Sequence, residues 1–321
     1  MKKVGIVIPV YNTRKYLLDC LGSAENQLYP NTEIIIIDNG SDDGSDDVCE
    51  KFARRHKNVT FLRESAKGVC NARNKGIRNS DADYLTFIDS DDIVSADYIN
   101  VLVNHMQEGG MSVCNYTSAV DSLGQCGGNT ISLNNEQAFI SALKNNGIQG
   151  FIWGKLFDLR VIKENRLKFD ENISICEDLE FVCHYLSCCN AFVSWNNSIE
   201  YYYRQRDNSA LNKRFMSYTN IDDKSFSELI ALNKIYEYTH GDRDLEKAVT
   251  LRKTKSSATT LRVMASHRYK GKLYNDTLAF LRRHCVQYLV SDYGAFSSKV
   301  SVALGAVSPE LEYRVYKLAN R

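Results

Sequence analysis

Two apolar runs early in the chain show no polar alternation and end abruptly in acids. Ile34-Ile35-Ile36-Ile37 leads into Asp38-Asn39-Gly40-Ser41, and Tyr84-Leu85-Thr86-Phe87-Ile88 leads into Asp89-Ser90-Asp91-Asp92. Unbroken runs of this length fit strands of a parallel sheet covered on both faces. In open sheets of that kind ligands bind beyond the carboxyl ends of the strands, which is where both acid clusters fall.

Up to about Asn115 short apolar runs alternate with amphipathic segments, the pattern of repeated βα units. Strands are expected over Gly5 to Val10, Glu33 to Ile37, Val59 to Leu62, Tyr84 to Ile88 and Met111 to Cys114. Between them, Arg14 to Gln27 carries Tyr16, Leu17, Cys20 and Leu21 at helical spacing. Ser45, followed by Asp46 and Asp47, is expected to cap a second helix to about Arg55, Lys67-Gly68 to open a third through Arg78, and Ser95 to cap a fourth through Glu108. The polar stretch Asp121 to Asn135 reads as a loop or short hairpin insertion. After Phe151 to Phe157 the pattern predicts a helix through Asn165, an acid-opened helix from Glu177 to Cys189, and strands at Ala191 to Trp195 and Tyr201 to Tyr203. From about Met216 the segments become helical and rich in bases, among them Arg252, Lys253, Arg262, Arg282 and Arg283, so a boundary is placed there. Pro309 opens a last helix with Leu311, Val315 and Leu318 on one face. The expectation is an α/β domain over 1–215 and a helical region over 216–321.

Composition narrows the class. A chain of 321 residues with 44% hydrophobic content supports a sizeable core, and 40 basic against 39 acidic residues leave a net charge of +1. No global field recruits nucleic acid, and none is expected as a partner. None of the ten cysteines stands in a C-x-x-C pair, which disfavours zinc and a disulfide framework and points to the reducing cytosol. Met1-Lys2-Lys3 runs directly into a strand, without the apolar core of a signal peptide.

Five segments carry candidate chemistry. Asp89 and Asp91, one residue apart at a strand end, can offer one carboxylate to a sugar hydroxyl and the other to a hard divalent cation that takes phosphate oxygens as further ligands. In isolation such a motif is more often a solvated turn; its place at the end of an apolar strand reverses that ranking. Asp38-Asn39-Gly40-Ser41 offers acceptors and a tight turn at the neighbouring strand end, suited to a base or ribose, against the alternative of a plain turn. Pro9-Val10-Tyr11-Asn12 is expected to end the first strand with a ring that can lie on a planar base, although a lone Tyr is more often a packing residue. Arg73 and Asn74 sit on a helix after the third strand, within reach of phosphates or as plain surface polar residues. Glu177-Asp178-Leu179-Glu180 opens a helix where acids commonly serve the dipole, unless one is a general base.

Together and in this order, these segments resemble the family 2 inverting glycosyltransferases of the GT-A fold, of the bacterial cell-surface polysaccharide type, over roughly Val4 to Ser209. The resemblance implies a Rossmann-like mixed sheet flanked by helices with a C-terminal helical extension, residues 1–115 forming a nucleotide-binding half and 116–215 an acceptor half. It implies that Pro9, Tyr11, Asp38, Asn39 and Arg73 surround the nucleotide, that Asp89 touches the ribose and Asp91 a Mn²⁺ or Mg²⁺ ion, and that Asp178 is the catalytic base. Trp153-Gly154-Lys155-Leu156-Phe157 resembles the segment near donor sugar and acceptor, and Tyr203-Arg204-Gln205-Arg206 with Ser209 the one that closes over the diphosphate. Where many members carry two acids this chain has Asp38-Asn39, and an amide can still hydrogen-bond a pyrimidine edge, so a thymidine donor stands beside uridine.

The implied reaction moves one sugar from a nucleotide-diphosphate sugar to a glycan or lipid-linked acceptor. A dTDP-sugar (rhamnosyl-type) transferase is the alternative within the class; a nucleotidyltransferase and a non-catalytic nucleotide-binding or interaction protein are the alternatives outside it. Nucleotidyl transfer normally needs a Gly-rich basic loop after the first strand, where this chain has Tyr11-Asn12-Thr13. Glycoside hydrolysis has no need of a strand-end D-x-D. The basic C-terminal helices suit a peripheral contact with the inner face of the cell membrane, a homo-oligomer contact or a merely solvated face.

Overall fold

The computed structural model describes residues 1–205 and 223–319. Arg206, Ser209 and the boundary expected at Met216 lie outside the described residues. The chain divides into two compact units, neither of them a continuous stretch of sequence.

The first unit is built on one mixed sheet. Its strands are β1 (Val4–Val10), β2 (Thr32–Asp38), β3 (Val59–Arg63), β4 (Tyr84–Phe87), β5 (Ile93–Val94), β6 (Met111–Thr117), β7 (Thr130–Leu133), β8 (Lys155–Asp158) and β9 (Val193–Tyr202). They lie in the order β3-β2-β1-β4-β8-β6-β9-β5, with β7 added on β9. The four strands β3, β2, β1 and β4 are parallel, and Ile34 to Ile37 are fully buried among them, as expected of strands without polar alternation. β8 runs antiparallel to both β4 and β6, and β6 runs parallel to β9. The carboxyl ends of β1, β2, β4, β6 and β9 therefore share one edge with the start of β8.

Helices α1 (Arg14–Glu25), α2 (Ser45–Ala53), α3 (Val69–Asn79), α4 (Tyr98–Asn104) and α6 (Leu159–Glu164) pack on this sheet. α3 approaches β1 closely at Gly76, where a Cβ would come within 2.4 Å of Val7. Aromatic rings fill the space beside β4: Phe87 lies edge-on to Phe157, Phe169 and Phe181.

Several local expectations give way to tertiary contacts. Ser45 is the first residue of α2 rather than its cap, and its hydroxyl accepts from the Thr13 N–H and donates to Asp43. Ser95 bonds Glu200 instead of capping α4, which begins later, at Tyr98. Pro9 lies inside β1, opposite Ile37, rather than ending it. The two strands expected around 191–203 are one continuous β9, because the intervening Asn196, Ser198 and Glu200 are buried and bonded to Thr130, Gly127 and Ser95. β7, within the stretch expected to be a loop or hairpin, pairs antiparallel with β9.

The second unit takes in Ile140–Gln149, Asn172–Glu180 and the helices that follow. These are α8 (Ser227–Glu237), α9 (Arg243–Ser266), α10 (Lys272–Val290), α11 (Phe296–Val307) and α12 (Pro309–Ala319). α9 is the axis, packing against α8, α10, α11 and α12. Its N-terminus is capped by the Asp242 carboxylate, which accepts from the N–H groups of Asp244 and Leu245. Leu261, Met264, Leu281, Tyr288 and Val302 form the core. Two bases of α9 pack within this bundle: Arg262 pairs with Glu312 at 2.9 Å and lies over Tyr316, while Lys253 lies 4.1 Å from the Phe280 ring centroid. Two further helices, α5 (Asn135–Leu143) and α7 (Glu177–Cys188), each contribute residues to both units.

Candidate active site

The strand ends β1, β2 and β4 are tied into one platform. Thr13, just after β1, donates from Oγ1 to Ser90 after β4 at 2.9 Å, both groups buried. Asn12, held at φ 52°, exchanges two bonds with Asp42: its Nδ2 donates to Asp42 Oδ1 at 2.8 Å and its Oδ1 accepts from the Asp42 N–H at 2.9 Å. Register sets Asp38 opposite Val10 and Phe87 opposite Val7, so the acids following β2 and β4 emerge at the same edge. Tyr11 projects from this edge, 57% exposed and open to a planar ligand, beside the buried Pro9.

Asp38 is buried and accepts from the N–H groups of Gly40 at 3.1 Å and Ser41 at 3.3 Å. Gly40 takes φ +83°, the left-handed conformation this turn requires. Asn39 is committed elsewhere than expected. Its Nδ2 donates to the carbonyls of Ala66 at 2.7 Å and Glu64 at 3.3 Å, and its Oδ1 accepts from the Gly68 N–H at 2.7 Å. Both amide hydrogens thus hold the loop that leads into α3, leaving none for a pyrimidine edge. Asn39 is thereby held as part of that loop.

The β4 acids are held by groups from three other elements. Arg73, buried on α3, donates from Nη2 to Asp89 at 3.2 Å and lies over the Phe169 ring. Tyr201, at the end of β9, accepts from the Asp89 N–H at 3.1 Å and donates to Asp92 Oδ2 at 2.7 Å. Arg204 donates from its backbone N–H to Asp92 Oδ1 at 2.8 Å and from Nε to the Asp91 carbonyl at 2.9 Å. Its guanidinium is 3.6 Å from Asp19 and lies over Tyr16. Asp92, 1% exposed, had no role in the sequence reading although it stands in the same acidic run. Burial, reinforced by the negative charges of Asp89 and Asp91, pushes its carboxyl up to about 8. It is the clasp between the acid loop and the end of β9.

Beside this loop, Lys155 opens β8 fully buried, near Cys114, whose thiol is raised by burial against the opposing charge of Lys155. Trp153, two residues earlier, stacks on Tyr201 with centroids 4.7 Å apart and on Phe151 at 4.6 Å. An aromatic column thus runs from the partly exposed Phe151 to the tyrosine that holds Asp89 and Asp92.

Asp178 is the second residue of α7, and Glu177, Asp178 and Glu180 all lie in its first turn, where the helix dipole favours negative charge. Of these, Glu180 is buried and accepts from the Tyr238 hydroxyl, while Asp178 is only half-buried. Asp178 belongs to the second compact unit, and Asp38, Asp89 and Asp91 to the first.

A divalent ion is implied by the resemblance. The oxygen-only donors Asp89 and Asp91 suit a hard cation, and among the described residues no three acidic, His or Cys side chains form a ready cluster.

Comparison with known proteins gives a consistent picture. Residues 5–159 match the family model described as glycosyl transferase family 2. The putative glycosyltransferase EpsH of Bacillus subtilis is 28% identical over 285 residues, covering 85% of this chain and 81% of EpsH. The glycosyltransferase GlyG of Streptococcus pneumoniae is 40% identical over 106 residues, 33% of this chain and 35% of GlyG. Among solved structures, S. aureus TarS 1–349 in complex with UDP-GlcNAc superposes with a TM-score of 0.63 at 16% identity, over 98% of this chain and 92% of that one. The mannosyltransferase PcManGT from Pyrobaculum calidifontis, in complex with GDP-Man and Mn²⁺, gives 0.56 at 14% identity, over 96% and 87%. At these identities the structural likeness shows the fold.

Proposed function

The chain is a glycosyltransferase of family 2 with the GT-A fold, and we propose that it moves one sugar from a UDP-sugar onto a hydroxyl of a glycan or lipid-linked acceptor with inversion at the anomeric carbon. The acceptor oxygen bonds to the anomeric carbon as the bond to the diphosphate breaks, the diphosphate leaves with the electron pair, and the acceptor proton passes to Asp178. Tyr11, Asp38 and Arg73 surround the nucleotide, with Pro9 and Asn39 shaping the pocket, and Asp89 meets the ribose. Mn²⁺ or Mg²⁺ held by Asp91 would offset the charge that builds on the leaving diphosphate. Lys155 and Trp153 face the transferred sugar, and Arg204 stands over the diphosphate. The setting is the cytoplasm, at the inner face of the membrane, in the synthesis of surface polysaccharide.

The observation that carries this reading is the single edge where Asp38, Asp89 and Asp91 emerge, with Arg73 bonded to Asp89 and Arg204 bonded to Asp91. With the Asn39 amide committed to the loop, the base is met by that loop and by Tyr11, and a dTDP-sugar is the second donor class to try. A panel of UDP-, dTDP- and GDP-sugars incubated with Mn²⁺ tests the proposal: UDP-sugars are expected to release free UDP. Release of pyrophosphate instead would assign nucleotidyl transfer, and failure of every nucleoside diphosphate to bind by calorimetry would leave a non-catalytic role.

A further inference from the structure

The segment Asn172–Glu180 belongs to the second compact unit, although the chain directly before it and directly after it belongs to the first. It contains Glu177 and Asp178, and one helix of its own unit holds it on both sides of them. At the start of α8, the Ser227 hydroxyl accepts from the Ser174 N–H at 3.1 Å, and the two serine hydroxyls bond each other at 3.1 Å. Just past the end of α8, the Tyr238 hydroxyl donates to the Glu180 carboxylate. Ser227 and Glu180 are both buried, so water does not readily replace either bond. Ile173 and Leu179 are buried apolar anchors beside the two ties.

Between the ties the backbone takes a conformation it does not favour. Cys176 has φ +65°, in the left-handed region, where a residue with a Cβ persists only if its surroundings hold it. Its carbonyl accepts from the Glu180 N–H at 3.0 Å, closing the first turn of α7 around Asp178. A relaxed Cys176 would redirect the Glu177-Asp178 step, so the aim of the Asp178 side chain depends on the grip at either end. The gripping helix is itself fixed. Leu229, Leu232 and Ile235 are buried along α8, Glu228 accepts from the Ser256 hydroxyl of α9 at 2.7 Å, and Asn233 accepts from Lys253 of α9 at 2.6 Å.

We propose that α8 is the splint of the general base: Ser227 and Tyr238 are positioning residues that hold Ser174 and Glu180, and through them aim Asp178. They act through Asp178 and bind neither donor nor acceptor. The inference rests on Asp178 being the base and goes beyond it, because it gives the C-terminal helices a part in the transfer reaction itself.

A double-mutant cycle on release of free UDP from the UDP-sugar tests the splint. Tyr238→Phe and Ser227→Ala, made separately in the full chain, are each expected to lower kcat about tenfold to hundredfold, the loss that follows from a small displacement of a reacting group. The thermal midpoint and the calorimetric Kd for UDP are expected to stay at their wild-type values. In the Asp178→Asn background the same two changes should cost nothing further, since a splint has no effect on a base that is gone. Turnover of both variants at the wild-type rate would overturn the proposal. So would losses that multiply with that of Asp178→Asn, or that appear only together with weakened UDP binding, because either marks a general structural role. Wild-type turnover by Asp178→Asn alone would overturn the assignment of the base and the inference with it, which separates the two failures.

Discussion

The two units use charge in opposite ways. At the sheet edge of the first, charges are gathered and held in place: Arg73 on Asp89, Arg204 on the Asp91–Asp92 segment, Tyr201 between Asp89 and Asp92. In the helical unit, the Arg262–Glu312 pair serves packing, and it is apolar side chains that stand unpartnered at the surface. Buried polar groups fix geometry in both; in the first, Asp38, Asp89, Asp91 and Asp92 gather at one sheet edge, while in the second Glu177, Asp178 and Glu180 share the first turn of α7. The proposed site rests on that concentration of like charge at the sheet edge.

The comparison can be broken most decisively at Asp178. If it is the base, Asp178→Asn should cut turnover by ~10²–10⁴-fold while leaving UDP binding largely intact by calorimetry. Retained turnover would remove it from the mechanism. Next in size is the structural pair: Glu312→Ala strands Arg262 and should cost about 2–3 kcal/mol of stability in urea unfolding, with donor hydrolysis per folded molecule unchanged. A loss of hydrolysis without a loss of stability would erase the contrast between the units.

Asp92 gives a pH signature that belongs to the first unit only. Because its folded-state carboxyl is raised from the ordinary value of 3.8 to about 8, the native state binds the extra proton between those limits. Stability of the metal-free protein should therefore fall as pH rises through that window, by at most about 1.4 kcal/mol per pH unit, and Asp92→Asn should flatten the dependence. A wild-type profile already flat between pH 5 and 8 would count against it. The smallest effect sharpens the platform itself: Thr13→Val removes the bond to Ser90 and should cost about 1 kcal/mol, with donor binding weakened in proportion to the loosened edge.

Much of the first unit was legible because its signals are local. Runs such as Ile34 to Ile37 and Tyr84 to Ile88 have no helical or alternating period, and β2 and β4 fall within a residue or two of where those runs lie. The single β9 was not legible, because Asn196, Ser198 and Glu200 look like a break until their partners on other segments are known. Asn39 likewise presents the same amide to a pyrimidine or to a loop, and only the position of Glu64 to Gly68 chooses between them.

The amino-acid order alone determined that two apolar strands terminate in carboxylates, that their spacing follows a family pattern, and that α12 would carry an apolar stripe, since periodicity and strand-end chemistry are properties of neighbouring residues. The tertiary structure decided which of those groups are already engaged. It spent the Asn39 amide on a loop, made Asp92 a clasp and left the α12 stripe facing outward, because burial and hydrogen-bond partners come from segments far apart in the chain.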